Sequence, residues 1–164
     1  MKKALVFLAL AIALGTTAWF VWRPVQAAPE VTFSTIDGKK ISMQDLRGKV
    51  VLVKFWATSC VTCVAQMPDN IANYEKYGDQ GYETIAVAME YDPANYVLNF
   101  AETRNLPFPV ALDIQGEAAR AFGDVRLTPT AFLIDRKGNI IKRYLGVYNK
   151  AEFQATVEKA LKAG

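Results

Sequence analysis

The chain has 164 residues, 52% of them hydrophobic and 12% aromatic, which is enough for one buried core and too apolar for a disordered segment. Its formal charge of +3 comes from nineteen basic and sixteen acidic residues, but Lys2, Lys3 and Arg23 flank an apolar N-terminal run and the remainder is balanced; this excludes the basic field that nucleic-acid binding needs. The absence of histidine excludes imidazole bases, histidine metal ligands and the Cys-x-x-Cys-His haem-attachment motif.

Met1-Lys2-Lys3 precedes a run from Ala4 to Trp22 without a charge, closed by Arg23-Pro24. This is the pattern of an export signal. Its 19 residues exceed the roughly 7–15 of a cleaved signal core and approach the ~20 that span a bilayer. Trp19 and Trp22 suit an interfacial belt. Residues 1–22 are therefore read as a membrane anchor with Lys2 and Lys3 in the cytoplasm; the alternative is a signal peptide cut near Ala27, in Val25-Gln26-Ala27. Either way the domain lies outside the inner membrane. Residues 23–30, with Pro24 and Pro29, read as a linker, and 31–164 as the domain.

Within the domain, VTFSTI (31–36) and KISM (40–43) flank Asp37-Gly38 and predict a hairpin. KVVLVKFWA (49–57) is a nearly continuous apolar run, the pattern of a central strand buried on both faces. Cys60 follows at once, and Val64, Met67, Ile71 and Tyr74 recur at helical spacing, with Pro68 predicting a kink. YETIAVAME (82–90) is the next strand, Pro93 opens a helix over 94–104, LPFPVALD (106–113) carries a short extended piece, and GEAARAF (116–122) a short helix. TAFLID (130–135) and NIIKRYLG (139–146) form a second hairpin, and Phe153, Val157 and Leu161 mark an amphipathic last helix. Strands alternating with helices predict an α/β domain with a mixed central sheet flanked by helices.

The chain's two cysteines, Cys60 and Cys63, open a helix at the end of a buried strand. As a staple they close too short a loop to matter for stability. As a metal site they lack the further ligands that zinc requires. As a redox pair they have a physical rationale. The helix N-terminus favours the thiolate of the first cysteine, and i,i+3 spacing puts both sulfurs on one face. Cys60 is then the attacking thiol and Cys63 the resolving one.

The stretch VLVKFWATSCVTC with Pro68, together with LTPTAFLIDRKGNIIKRYLG downstream, resembles the thioredoxin fold, and within it the membrane-tethered, periplasm-facing TlpA/ResA/CcmG group. The resemblance covers residues 31–162 and includes the N-terminal β-hairpin and a central inserted segment around 91–113. It implies a thiol–disulfide oxidoreductase whose nucleophile is Cys60 and resolving thiol Cys63, with a cis peptide before Pro129 that exposes the backbone of Thr128 to substrate. It implies no cofactor beyond the Cys60–Cys63 disulfide, and as partners it implies exported protein thiols or disulfides and a membrane thiol transporter as electron donor. Apocytochrome c or a copper-site assembly protein would be substrates.

The chain departs from the group at several positions. Lys54 stands six residues before Cys60, where many members place an acid; it either snorkels from the strand end or supplies a cation that favours the Cys63 thiolate. Glu90 resembles the active-site glutamate of the ResA branch, and an inward-facing Lys54–Glu90 pair would set the protonation of Cys63. Ser59 replaces a frequent tryptophan, leaving Trp56 as either a substrate contact or a core aromatic. Val61 and Thr62 carry no charge to stabilise the Cys60 thiolate, so the couple is expected to act as a reductant. A disulfide-forming oxidase and a copper-binding assembly chaperone are the alternatives, the second disfavoured by the narrow cysteine spacing and the absence of histidine. A thiol peroxidase is disfavoured because WATSC lacks the proline such sites use.

Overall fold

A computed structural model describes residues 26–163. The readings of 1–22 as an anchor or signal and of 23–25 as linker lie outside the described residues. Among the described residues, no helix is long and apolar enough to cross a membrane.

The apolar run 49–57 forms strand β3 (Val50–Trp56), in which every residue is buried. It is the middle of a five-stranded sheet with β4 (Tyr82–Ala88) and β5 (Val110–Leu112) parallel on one side, and β6 (Thr130–Ile134) and β7 (Ile140–Leu145) on the other. β6 runs antiparallel to β3, and β7 antiparallel to β6. Alternation along β3 divides the core. Val51, Val53 and Phe55 face Phe33, Phe122, Phe132 and Ile134. Val50 and Leu52 face Tyr77, Phe153 and Val157, and Trp56 packs with Cys63, Met67 and Val97.

The first hairpin, β1 (Thr32–Ser34) and β2 (Lys40–Ser42), turns at Asp37-Gly38, where Gly38 takes φ +81°, a conformation that favours glycine. Its end covers the edge of β5: Ile36 N–H donates to the Val110 carbonyl at 2.9 Å. At the opposite edge the chain enters along the base of β7. Ala28 N–H donates to Gly138 O at 2.9 Å, Ile140 N–H donates to Gln26 O at 2.8 Å, and Ala28 is buried in the core. The second half of the segment read as linker is thus docked onto the body.

The helices are α1 (Val61–Ala65), α2 (Met67–Tyr77), α3 (Ala94–Thr103), α4 (Glu117–Ala121) and α5 (Lys150–Lys162). The kink expected at Pro68 appears as a break at Gln66 that separates α1 from α2. Pro68 occupies the first turn of α2, where its missing N–H costs nothing. The break also resets the helical phase. The fully buried face of α2 is Met67, Asn70, Asn73 and Tyr77, whereas Ile71 and Tyr74 of the predicted stripe are half-buried at its flank. Two asparagines can lie inward because α5 and the residues before it supply partners. Tyr148 Oη donates to Asn70 Oδ1 at 2.9 Å and Gln154 Nε2 to Asn73 Oδ1 at 2.9 Å.

Phe153 of α5 is fully buried and stacks on Tyr148 with centroids 4.6 Å apart. Phe153→Ala is expected to lower unfolding stability by about 3–5 kcal/mol in a denaturant titration, with the Cys60–Cys63 bond still formed in the folded state.

Candidate active site

The buried strand β3 ends at Trp56, and residues Ala57–Cys60 make a turn closed by Cys60 N–H donating to Ala57 O at 3.1 Å. Cys60 is the N-cap of α1 (φ −85°, ψ 98°), and its Sγ accepts from the Cys63 N–H at 3.2 Å. Val64 N–H donates to the Cys60 carbonyl at 3.0 Å, so the helix starts on the cysteine itself. The two sulfurs are bonded, with Cα atoms 5.2 Å apart. Cys60 is half-exposed and Cys63 fully buried, so an incoming thiolate can approach only the Cys60 sulfur.

The register of β3 with β6 pairs Phe55 with Thr130 and so brings the loop before β6 to the same pole as the disulfide. The Thr128–Pro129 peptide is cis. Pro129 O accepts from Gly146 N–H at 2.8 Å, while the peptide N–H and C=O of Thr128 make no backbone hydrogen bond among the described residues. The Thr128 side chain lies 3.3 Å from Tyr91 Oη.

Lys54 does not snorkel. It is 1% exposed, shares a strand face with Leu52 and Trp56, and donates from Nζ to Gln66 Oε1 at 2.9 Å. Burial in this apolar surrounding pulls its pKa down to about 7, against a smaller upward pull from the Asp69 carboxylate. The expected Lys54–Glu90 pair does not form. Lys54 is level with Ala86, four residues short of Glu90, which is roughly 13 Å along a strand. Glu90 lies beyond the end of β4, exposed, with its carboxylate over Gly116, where an added Cβ would come within 2.5 Å of Glu90 Oε2 and 3.0 Å of Arg120 Nη1. Trp56 is likewise corrected as a substrate contact. It is fully buried, its ring 5.2 Å from that of Phe100, and it supports the site from below.

Three residues at this pole escape a reading of the sequence. Gln66 is the acceptor for Lys54 at the helix break, Tyr91 borders the cis-proline loop, and Asp92, 8% exposed, accepts from both the N–H and the hydroxyl of Thr58. The one available signal was the Asp92-Pro93 dipeptide, which marks a turn at a helix start without indicating which way the carboxylate faces.

This arrangement matches known proteins along most of the chain. The Redoxin family pattern fits residues 24–161. The chain belongs to the Redoxin family. Within that family it is 39% identical over 133 residues to the thiol-disulfide oxidoreductase ResA of Bacillus thuringiensis subsp. konkukian, covering 80% of this chain and 75% of that protein. It is 31% identical to the thioredoxin-like protein YneN of Bacillus subtilis, covering 96% and 98% of the two chains. The crystal structure of a thioredoxin-family thiol:disulfide interchange protein from Chlorobium tepidum superposes with a TM-score of 0.78 at 30% identity, over 85% of this chain and 99% of that one. This Redoxin protein is accordingly a thiol–disulfide oxidoreductase with a thioredoxin-like fold, of the TlpA/ResA/CcmG kind.

The buried lysine of this Redoxin protein has a signature in stability. Because its folded pKa is depressed from the ordinary lysine value to about 7, the unfolded chain binds one more proton than the folded chain between that pH and the unfolded lysine pKa of about 10.4. The burial penalty is therefore complete below pH ~7 and is relieved as pH rises through that window. Unfolding free energy should climb over this range, and Lys54→Met should flatten the climb. Parallel pH profiles for parent and variant would contradict this account of Lys54.

Proposed function

We propose that the protein reduces disulfides of exported proteins outside the inner membrane, held there by its N-terminal segment. The observation that carries this reading is the surface around the disulfide. Val61 (83% exposed), Leu127 (64%), Leu145 (60%), Val147 (72%) and Tyr91 (55%) border Cys60 and the cis-proline loop. Such an apolar collar with a free Thr128 peptide in its midst fits an extended polypeptide that pairs with the backbone and buries its side chains on the collar. The first described residues lie at the opposite pole, beside the Gly138 turn, so a tether there leaves the collar facing away from its attachment.

The reaction runs on the two sulfurs. In the reduced protein the Cys60 thiolate attacks one sulfur of a substrate disulfide, the substrate S–S bond breaks, and the other substrate sulfur leaves as a thiolate. The Cys63 thiol then gives up its proton and attacks Cys60 Sγ. This closes the Cys60–Cys63 bond and releases the second substrate thiolate, so that two electrons have passed to the substrate. An external dithiol restores the pair, and we assign this role to a membrane thiol transporter. Lys54, whose Nζ donates to Gln66 at the helix break three residues past Cys63, is the group we assign to receive the Cys63 proton in its neutral form. The uncharged Val61-Thr62 dipeptide leaves the Cys60 thiolate without added stabilisation, which favours the reductant direction.

Cys63→Ser in the full chain should accumulate mixed disulfides between Cys60 and exported proteins, visible as reducible adducts on a non-reducing gel, and Cys60→Ser should show none. Reduced parent protein should convert the same captured partners from disulfide to dithiol. Transfer only in the other direction, with the parent's disulfide consumed and the partner's formed, would replace the reductase by an oxidase.

A further inference from the structure

The connection from β4 to α3, Met89–Pro93, touches the end of β3 and the turn that carries Cys60. Met89 N–H donates to Trp56 O at 3.0 Å, continuing the strand pairing. Beyond it, the Asp92 carboxylate grips Thr58, with Oδ2 accepting from the Thr58 N–H at 2.6 Å and Oδ1 from the Thr58 hydroxyl at 2.5 Å. Asp92 is itself fixed by its N–H to Met89 O at 2.9 Å and by the following Pro93, which opens α3 at φ −60°.

Thr58 and Ser59 are the central residues of the turn between Ala57 and Cys60. A carboxylate that binds both the backbone and the hydroxyl of one central residue fixes the plane of its peptide and its side-chain rotamer together. Hydrogen bonds to an ionised acceptor are the strong kind. The turn in turn sets the N-cap geometry in which Cys60 Sγ receives the Cys63 N–H. On reduction that N–H and its helical neighbours must stabilise the thiolate, so the orientation of Cys60 is a condition for reactivity. A buried carboxylate is an adverse neighbour for a developing thiolate, and its presence here is explained by the hold it takes on Thr58.

We propose that Asp92 is a positioning residue for disulfide exchange, acting through Thr58 to keep Cys60 in its helix-capping orientation. The proposal rests on exchange at Cys60 and is independent of the physiological substrate. Its test therefore uses a small dithiol.

The measurement is the rate at which the oxidised full chain reacts with dithiothreitol, together with the titration of the Cys60 thiol in the reduced form, under conditions where circular dichroism shows each variant folded. Asp92→Asn and Asp92→Ala remove the same charge, but only asparagine can still accept from the Thr58 N–H and bond its hydroxyl. Asp92→Ala is expected to exchange about tenfold more slowly than Asp92→Asn, in line with the loss of an ordinary neutral hydrogen bond, and its Cys60 thiol to titrate higher. Thr58→Val, which keeps the carboxylate, should also slow exchange, and Thr58→Ser should restore it. The serine and valine pair keeps the test open if Asp92→Ala does not fold. Equal rates and equal Cys60 titration in Asp92→Ala and Asp92→Asn, or a Thr58→Val protein that reacts as fast as Thr58→Ser, would overturn the proposal even if stability falls.

Discussion

The hydrogen bond from the Cys63 N–H to Cys60 Sγ is the contact on which the rest of the molecule converges. It exists because Cys60 caps a helix that begins one residue later, and the helix can begin there because β3, buried on both faces, ends at a fixed point in the centre of the sheet. A strand with seven buried residues has no freedom to slip in register, since a shift by one residue would exchange its two faces. The sulfur therefore sits on a rigid mount while its own side is half open. Attack at Cys60 and shielding of Cys63 follow from this difference in burial, and the helix-capping position of Cys60 adds stabilisation of its thiolate.

Beneath that mount lies a polar seam in an otherwise apolar packing. Lys54, Gln66, Asn70 and Asn73 are all buried between the sheet and α2, with Tyr148 and Gln154 closing the seam from the side of α5. Among the described residues Lys54 has a single side-chain hydrogen-bond acceptor and no carboxylate within salt-bridge distance, so it is costly as a cation. It is held near the point where either protonation state is accessible. It lies against the helix break three residues past Cys63. The seam also accounts for the helix break. Gln66 N–H bridges the carbonyls of Thr62 and Cys63 at 3.2 Å, and the interruption turns its side chain inward to meet Lys54.

What could be read from the sequence was what repeats or alternates. The run 49–57 was legible as a doubly buried strand because beyond Lys49 no polar residue but Lys54 interrupts it, and the two hairpins because Asp37-Gly38 separates the strands of the first and Arg136-Lys137-Gly138 those of the second. Cys60 and Cys63 were legible as a redox pair by position, at the junction of that strand with a helix. What depended on where an element stops was not legible. Glu90 had the right residue type, but β4 ends at Ala88 and carries it past the site. Trp56 had the character of a contact residue but is the last buried rung of β3. The inward face of α2 was hidden because its buried positions include two asparagines whose partners are about eighty residues away in sequence. Asp92 was hidden for the same reason, since its role is visible only once the ends of β3 and β4 lie side by side.

If the Cys60–Cys63 bond opens and closes while the scaffold stays folded, redox equilibration will show both at once. The full chain is equilibrated with graded ratios of reduced and oxidised dithiothreitol, the thiols are alkylated and counted by mass, and far-ultraviolet circular dichroism is recorded on the same samples. The structure predicts a single two-electron transition, tenfold in ratio for every ~30 mV, with the same spectrum at both ends. A domain that loses its fold on reduction, or a disulfide that does not exchange at all, would contradict it.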